Sequence, residues 1–175
     1  MNDGLADVLR VLIIRELKAL DREIAAYPDD ESVWRTPPGI SNSTGTLALH
    51  MAGNLRHFIG AVIGKTGYVR NRDAEFSTRG LSRNELLSVV TDAIGDVERG
   101  LDALPDSWMN EVYPLPIQER RVRTGQFLVH LSVHLGYHLG QVDYHRRLVT
   151  QSGETVDTIS VKELPGVQVM WGSIE

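Results

Sequence analysis

The chain has 175 residues, 42% of them hydrophobic, a formal net charge of −5 and no cysteine. That is enough apolar material for one real core, and an acidic balance offers no global field to nucleic acid or anionic lipid. The missing cysteine excludes disulfides, thiolate metal sites and a cysteine nucleophile, leaving His, Asp and Glu as metal ligands. No apolar run approaches the ~20 residues of a membrane span. The N-terminus, with Asp3 and Asp7 before a short apolar stretch, lacks the shape of a signal peptide. The expectation is a soluble cytoplasmic protein that engages neither nucleic acid nor membrane.

In chain order, Leu5, Val8, Leu9, Leu12, Leu20 and Ile24 recur at three- and four-residue steps, which predicts an amphipathic core helix over 5–27 closed by Pro28. A loop follows, built around Trp34 and Pro37-Pro38-Gly39. Trp34 reads as a lid over the core, with ligand contact the lesser alternative. A second helix is expected over 43–64, capped by Ser43 or Thr44. It carries His50 and His57, seven residues apart and within ~20° of one another on the helical wheel. Residues 65–80 are polar and charged, and they read as a connection across one end of the fold whose charges are mostly solvated. Arg70, Arg72 and Arg79 could alternatively receive an anionic group. Ser82 and Glu85 form a capping box that opens a third helix over 82–102, with Leu86, Leu87, Val90, Ile94 and Val97 facing the core. The segment 106–123 contains Pro114 and Pro116 and cannot be one helix; short extended pieces are expected there.

The fourth helix, 124–150, carries four of the six histidines, His130, His134, His138 and His145. At about 100° per residue these imidazoles fall within an arc of roughly 80° beside an apolar arc of Phe127, Leu131, Leu135 and Val142. One histidine on an apolar face is most often a hydrogen-bonded core residue. Three at i, i+4, i+8 are harder to explain so, because neutral imidazoles gain nothing from being stacked and charged ones repel. Two imidazoles one turn apart can grip one metal, but His130 and His138 stand ~12 Å apart along the axis. The third ligand therefore comes from another helix, and His50 is the natural candidate. Periodicity alone leaves open whether His130–His134 or His134–His138 is the ligand pair. Ser132, Gly136 and Gly140 form a small-residue stripe opposite the imidazoles, suited to close approach of another backbone. The tail, 151–175, ends in β-branched residues, a Pro-Gly turn, Met170 and Trp171, and is expected to pack. No repeat or second domain is visible, so 1–175 reads as a single domain with its core in 5–150. Its fold class is all-α, an antiparallel four-helix bundle with long loops, which permit a crossover topology, and an irregular C-terminal tail.

The stretch Leu47–Gly60 with its histidine, and the element His134-Leu-Gly-Tyr137-His138-Leu-Gly140-Gln141, resemble the DinB/YfiT-like superfamily. The loop from Trp34 to Ile40 and the segment Tyr68–Phe76 are similar to one branch of it. The likeness covers roughly residues 5–150, and the histidine element is its most specific part. It implies an up-down-down-up four-helix bundle with metal ligands His50, His134 and His138, so it selects His134–His138 as the pair. Many members carry a carboxylate one turn after the first histidine; here that position is Asn54, which can orient a water or His50 but cannot be a general base. Gln141 reads as a partner of a ligand, and His130 and His145 as flanking groups, structural or in proton transfer.

Three imidazoles leave coordination positions open, the pattern of a catalytic site. Zinc or nickel suits the nitrogen donors. Such a metal lowers the pKa of a bound water or of an incoming low-molecular-weight thiol. The expected function is thus a metal-dependent hydrolase or thiol-dependent S-transferase acting on a small molecule. The alternative is a non-catalytic, dimeric bundle that binds metal or a small ligand. A homodimer is expected from the Gly136/Gly140 face.

Overall fold

The computed structural model describes residues 4–102 and 104–157, with Val161 and Leu164. The first helix, α1, spans Leu5–Ala25 and buries Leu9, Leu20 and Ile24 of the predicted stripe together with Ile13 and Leu17, whereas Leu5 and Val8, also in that stripe, are exposed. It stops at Ala26, two residues before Pro28, whose ring disfavours helical backbone in the residue ahead of it. Helix α2, Thr44–Leu55, is capped by Ser43, whose hydroxyl accepts from the Thr46 N–H. It continues into a π-helical stretch, Arg56–Ala61, so the helix predicted over 43–64 changes winding partway and ends at Ala61, with 62–64 in a turn.

Two further expected helices and one unexpected one follow among the described residues. Helix α3, Arg72–Ser77, lies in the segment expected to be a solvated connection. Asn71 caps it by accepting from Ala74 N–H. Helix α4, Arg83–Asp102, begins at the predicted capping box: Glu85 accepts from the Ser82 N–H at 2.8 Å, and Ser82 Oγ accepts from the Glu85 N–H at 3.3 Å. Helix α5 spans Thr124–Thr150. Between α4 and α5 there is a 3-10 turn at Asp106–Asn110 and two isolated bridges, Val112 with Arg123 and Ile117 with Arg120. No strand forms among the described residues. The protein is all-α there, and no helix in that set is long and apolar enough to cross a membrane.

Helix α1 packs against α4 and α5, and α2 packs against the same two and against α3. Gly100 of α4 permits close contact with the π-helical stretch, since a Cβ there would lie 2.6 Å from the Ile59 carbonyl oxygen. The shared core joins Leu17 and Leu20 of α1, Met51 of α2, Leu86 and Val90 of α4 and Leu128 of α5. A buried ion pair, Glu23 with Arg146, ties α1 to α5. Arg146 also donates to the Glu154 carbonyl, and Arg22 to the Val156 and Asp157 carbonyls, which turns residues 151–157 back along α1. Met170 and Trp171, on which the expectation of a packed tail rested, lie outside the described residues.

Candidate metal centre

Contact between α2 and α5 brings His50 against His134 and His138, which sit one turn apart on α5. His50 Nε2 lies 3.4 Å from His134 Nε2, and His138 Nε2 lies 3.1 Å from the same atom. One ligating nitrogen from each ring falls within 4.8 Å of the others, and these three form the group that could hold a metal ion among the described residues. The rings meet edge to face, at 80° for His50–His134 and 87° for His134–His138. Two nitrogens bound tetrahedrally at ~2.0–2.1 Å from zinc stand about 3.3–3.4 Å apart. The two short edges are of that size, so the cluster fits a transition metal.

The outer nitrogens fix which atoms point inward. His50 Nδ1–H donates to Glu75 Oε2 at 3.0 Å, and His138 Nδ1–H donates to Gln141 Oε1 at 2.7 Å. Each ring is thereby held as the tautomer with its lone pair on Nε2, facing His134. A single proton on His134 Nε2 can serve one of those lone pairs at a time, whereas a cation serves all three imidazoles.

Glu75 is in turn gripped by Arg70, whose Nε and Nη2 donate to its two oxygens at 2.6 and 2.8 Å. The carboxylate can lie against α2 because residue 53 is glycine: a Cβ there would collide with Glu75 Oε1. Burial alone would raise the Glu75 pKa, but hydrogen bonds from Arg70 and His50 outweigh it and hold the group below its ordinary value. Burial, followed by the neighbouring His138 and His50, lowers His134 to about 4. His138 is lowered chiefly by burial, against the opposing Gln141 hydrogen bond. Both therefore stay neutral near pH 7, which is the ligating form.

The sequence reading missed Glu75. Its signal was faint: Asn71 followed by Asp73 and Glu75 is a short helix start, but a carboxylate in so charged a stretch looks solvated, and only the tertiary structure buries it. Arg70 serves Glu75, Arg72 lies over the Phe76 ring, and Arg79 donates to the Phe76 and Thr78 carbonyls, so each is engaged within its own segment and the alternative of an anion receptor gains no support. Asn54 is buried with its Oδ1 unpartnered by protein, and it is Glu75, not Asn54, that orients His50. Gln141 accepts from the outer nitrogen of His138, a candidate ligand. His57 stays outside the cluster, edge-on to Phe58 in the π-helical stretch. His130 is exposed and stacks on Phe127 and His134. His145 is buried away from the cluster: Nε2–H donates to the Arg35 carbonyl at 2.7 Å, and Nδ1 lies 2.6 Å from Tyr27 Oη. Trp34 donates to the Leu81 carbonyl and covers Gly45, where a Cβ would meet its ring.

Fold and cluster together define an all-α protein with three convergent, oriented imidazoles on two packed helices. The chain belongs to the family described as "Protein of unknown function (DUF1572)", whose model matches residues 6–163. No curated protein and no solved structure matches it significantly.

Proposed function

We propose that His50, His134 and His138 hold one divalent transition metal, zinc or nickel, and that the protein is a metal-dependent enzyme acting on a small molecule. The observation that carries this reading is the convergence of three Nε2 atoms whose rings are fixed from behind by Glu75 and Gln141. A metal bound there would supply Lewis-acid activation of a water, for hydrolysis, or of a low-molecular-weight thiol, for S-transfer. The protein's own part is to keep the imidazoles neutral, to fix their tautomers, and to offer the unpartnered Asn54 Oδ1, one turn beyond His50, as an acceptor for a bound group. The resemblance to the DinB/YfiT-like superfamily supports the same ligand set. It also supports an up-down-down-up four-helix bundle built from α1, α2, α4 and α5, while length and composition support a single domain over 1–175 and a cytoplasmic protein.

A non-catalytic metal- or ligand-binding bundle is the second reading. It is favoured by one observation: both oxygens of Glu75, the carboxylate at the cluster, are engaged by Arg70 and His50. The protein purified without chelator or histidine tag is expected to contain near-stoichiometric metal by elemental analysis. Turnover in a panel of thiols and electrophiles then separates the two readings, since the non-catalytic bundle predicts none with the metal in place.

A further inference from the structure

Next to the cluster, and not used by it, is a cavity of about 380 Å³ between the loop at 39–42 and the 141–148 part of α5. Ile40, Leu47, Tyr144 and Leu148 make its walls apolar, and no Asp, Glu, Lys or Arg is among its lining residues. His145 contributes its ring but no free polar edge, because both of its nitrogens are already engaged, by Tyr27 and Thr44 on one side and by the Arg35 carbonyl on the other.

Two residues of the cavity wall tie it to the histidine cluster. Gln141 lines it and accepts from His138 Nδ1. Leu47 lines it and stands three residues before His50, about one turn or ~4.5 Å along α2. The groove between α2 and α5 therefore carries the three imidazoles at one level and an uncharged, apolar recess one turn away. Tyr144 and Leu148 stand at its rim and are largely exposed.

We propose that this recess receives an uncharged alkyl or aryl arm of the substrate while the substrate's polar head meets the metal at His50, His134 and His138. This rests on the metal-site reading and adds the substrate class: an elongated amphiphilic small molecule with its polar donor at one end. Charged arms such as phosphates or carboxylates are disfavoured, because the recess offers them no countercharge and burial without one is costly.

The test uses the full chain loaded with cobalt(II) and two metal-directed probes, acetohydroxamate and hexanohydroxamate, followed by the visible spectrum of the cobalt. Their heads are identical and their tails differ by four methylenes. Full burial of four methylenes corresponds to roughly a hundredfold in affinity, so a gain of at least about tenfold for the longer probe is expected. Leu148→Glu, at an exposed rim position, and Asn42→Trp, which fills the recess, should each take up cobalt and bind acetohydroxamate as the natural chain does, yet reduce the gain to within about threefold. Equal affinity of the two probes in the natural chain, or an undiminished gain in both variants, overturns the recess while leaving the metal site standing. Failure of the natural chain to take up cobalt overturns the metal site, and the recess proposal falls with it.

Discussion

Glu75 accepts a hydrogen bond from His50 at 3.0 Å while both of its oxygens are held by Arg70. A residue of one short helix thereby orients a candidate ligand on another, and it does so through a gap that only glycine at 53 leaves open. Removing such a partner typically lowers metal affinity ~10–100-fold. Glu75→Ala is expected to lie in that range in competition with a chromogenic chelator. Gly53→Ala should weaken binding in the same direction by displacing the carboxylate. Wild-type affinity in Glu75→Ala would remove the carboxylate from the site.

The proposed ligands should behave differently from their partners. His50→Ala, His134→Ala and His138→Ala are each expected to abolish stoichiometric metal, measured by elemental analysis of protein purified without chelator. His57→Ala should leave it intact, because that ring lies against Phe58 and outside the cluster. Full metal content in His134→Ala would end the assignment, since this ring is the one both others face.

The metal-free protein should lose stability as pH falls below about 6.5. His134 has a folded pKa near 4, depressed by burial and by the adjoining histidines, against an ordinary value of 6.5. The unfolded chain therefore binds the proton first, so the stabilising contribution is complete above 6.5 and is lost on acidification through the window down to about 4. His138 and His145, both lowered chiefly by burial, act with the same sign. Urea midpoints at pH 7.5, 5.5 and 4.5, with a chelator present, should decline in that order. The decline should be shallower in His134→Ala, and an equal slope in that variant would show that His134 does not contribute.

Glu23 and Arg146 are almost wholly buried and joined to each other across α1 and α5. Arg146 also pairs with Asp143 at 3.2 Å, so removing Glu23 leaves a buried charge only partly compensated, and the loss has about 3–5 kcal/mol as its upper bound. Glu23→Ala is expected to lose about 1–3 kcal/mol of stability in urea unfolding at pH 7, because Asp143 remains as a partner. A loss below about 1 kcal/mol would mean that Arg146 finds adequate solvation without Glu23.

Gly136 and Gly140 face open space: a Cβ at either would meet nothing within 4 Å. Neighbouring Val133, Tyr137 and Tyr144 are 65%, 64% and 78% exposed, so this side of α5 carries an apolar surface that nothing else in the described chain covers. If the homodimer forms through this side, Gly140→Trp should weaken association in sedimentation without lowering the unfolding midpoint. A natural chain that sediments as a monomer at micromolar concentration would count against the dimer.

Much of this protein was determined locally. The spacing of Leu9, Leu12, Leu20 and Ile24 is a helix period, Ser43 and the Ser82/Glu85 pair are caps, and Pro28 closes the first helix, so four of the five α-helices among the described residues follow from interactions within a few residues. The histidines of α5 lie on one arc for the same reason. Which of them converge was not local: the wheel places His130, His134, His138 and His145 together, and only the packing of α2 on α5 separates the pair that meets His50 from one that faces solvent and one bonded to Tyr27. Glu75 shows the limit most clearly. In sequence it is one charge among many, with nothing nearby to suggest burial. It becomes part of the site because α3 folds onto α2 over Gly53 and because Arg70 compensates its charge, and such a balance of desolvation against specific partners exists only once distant segments are in contact.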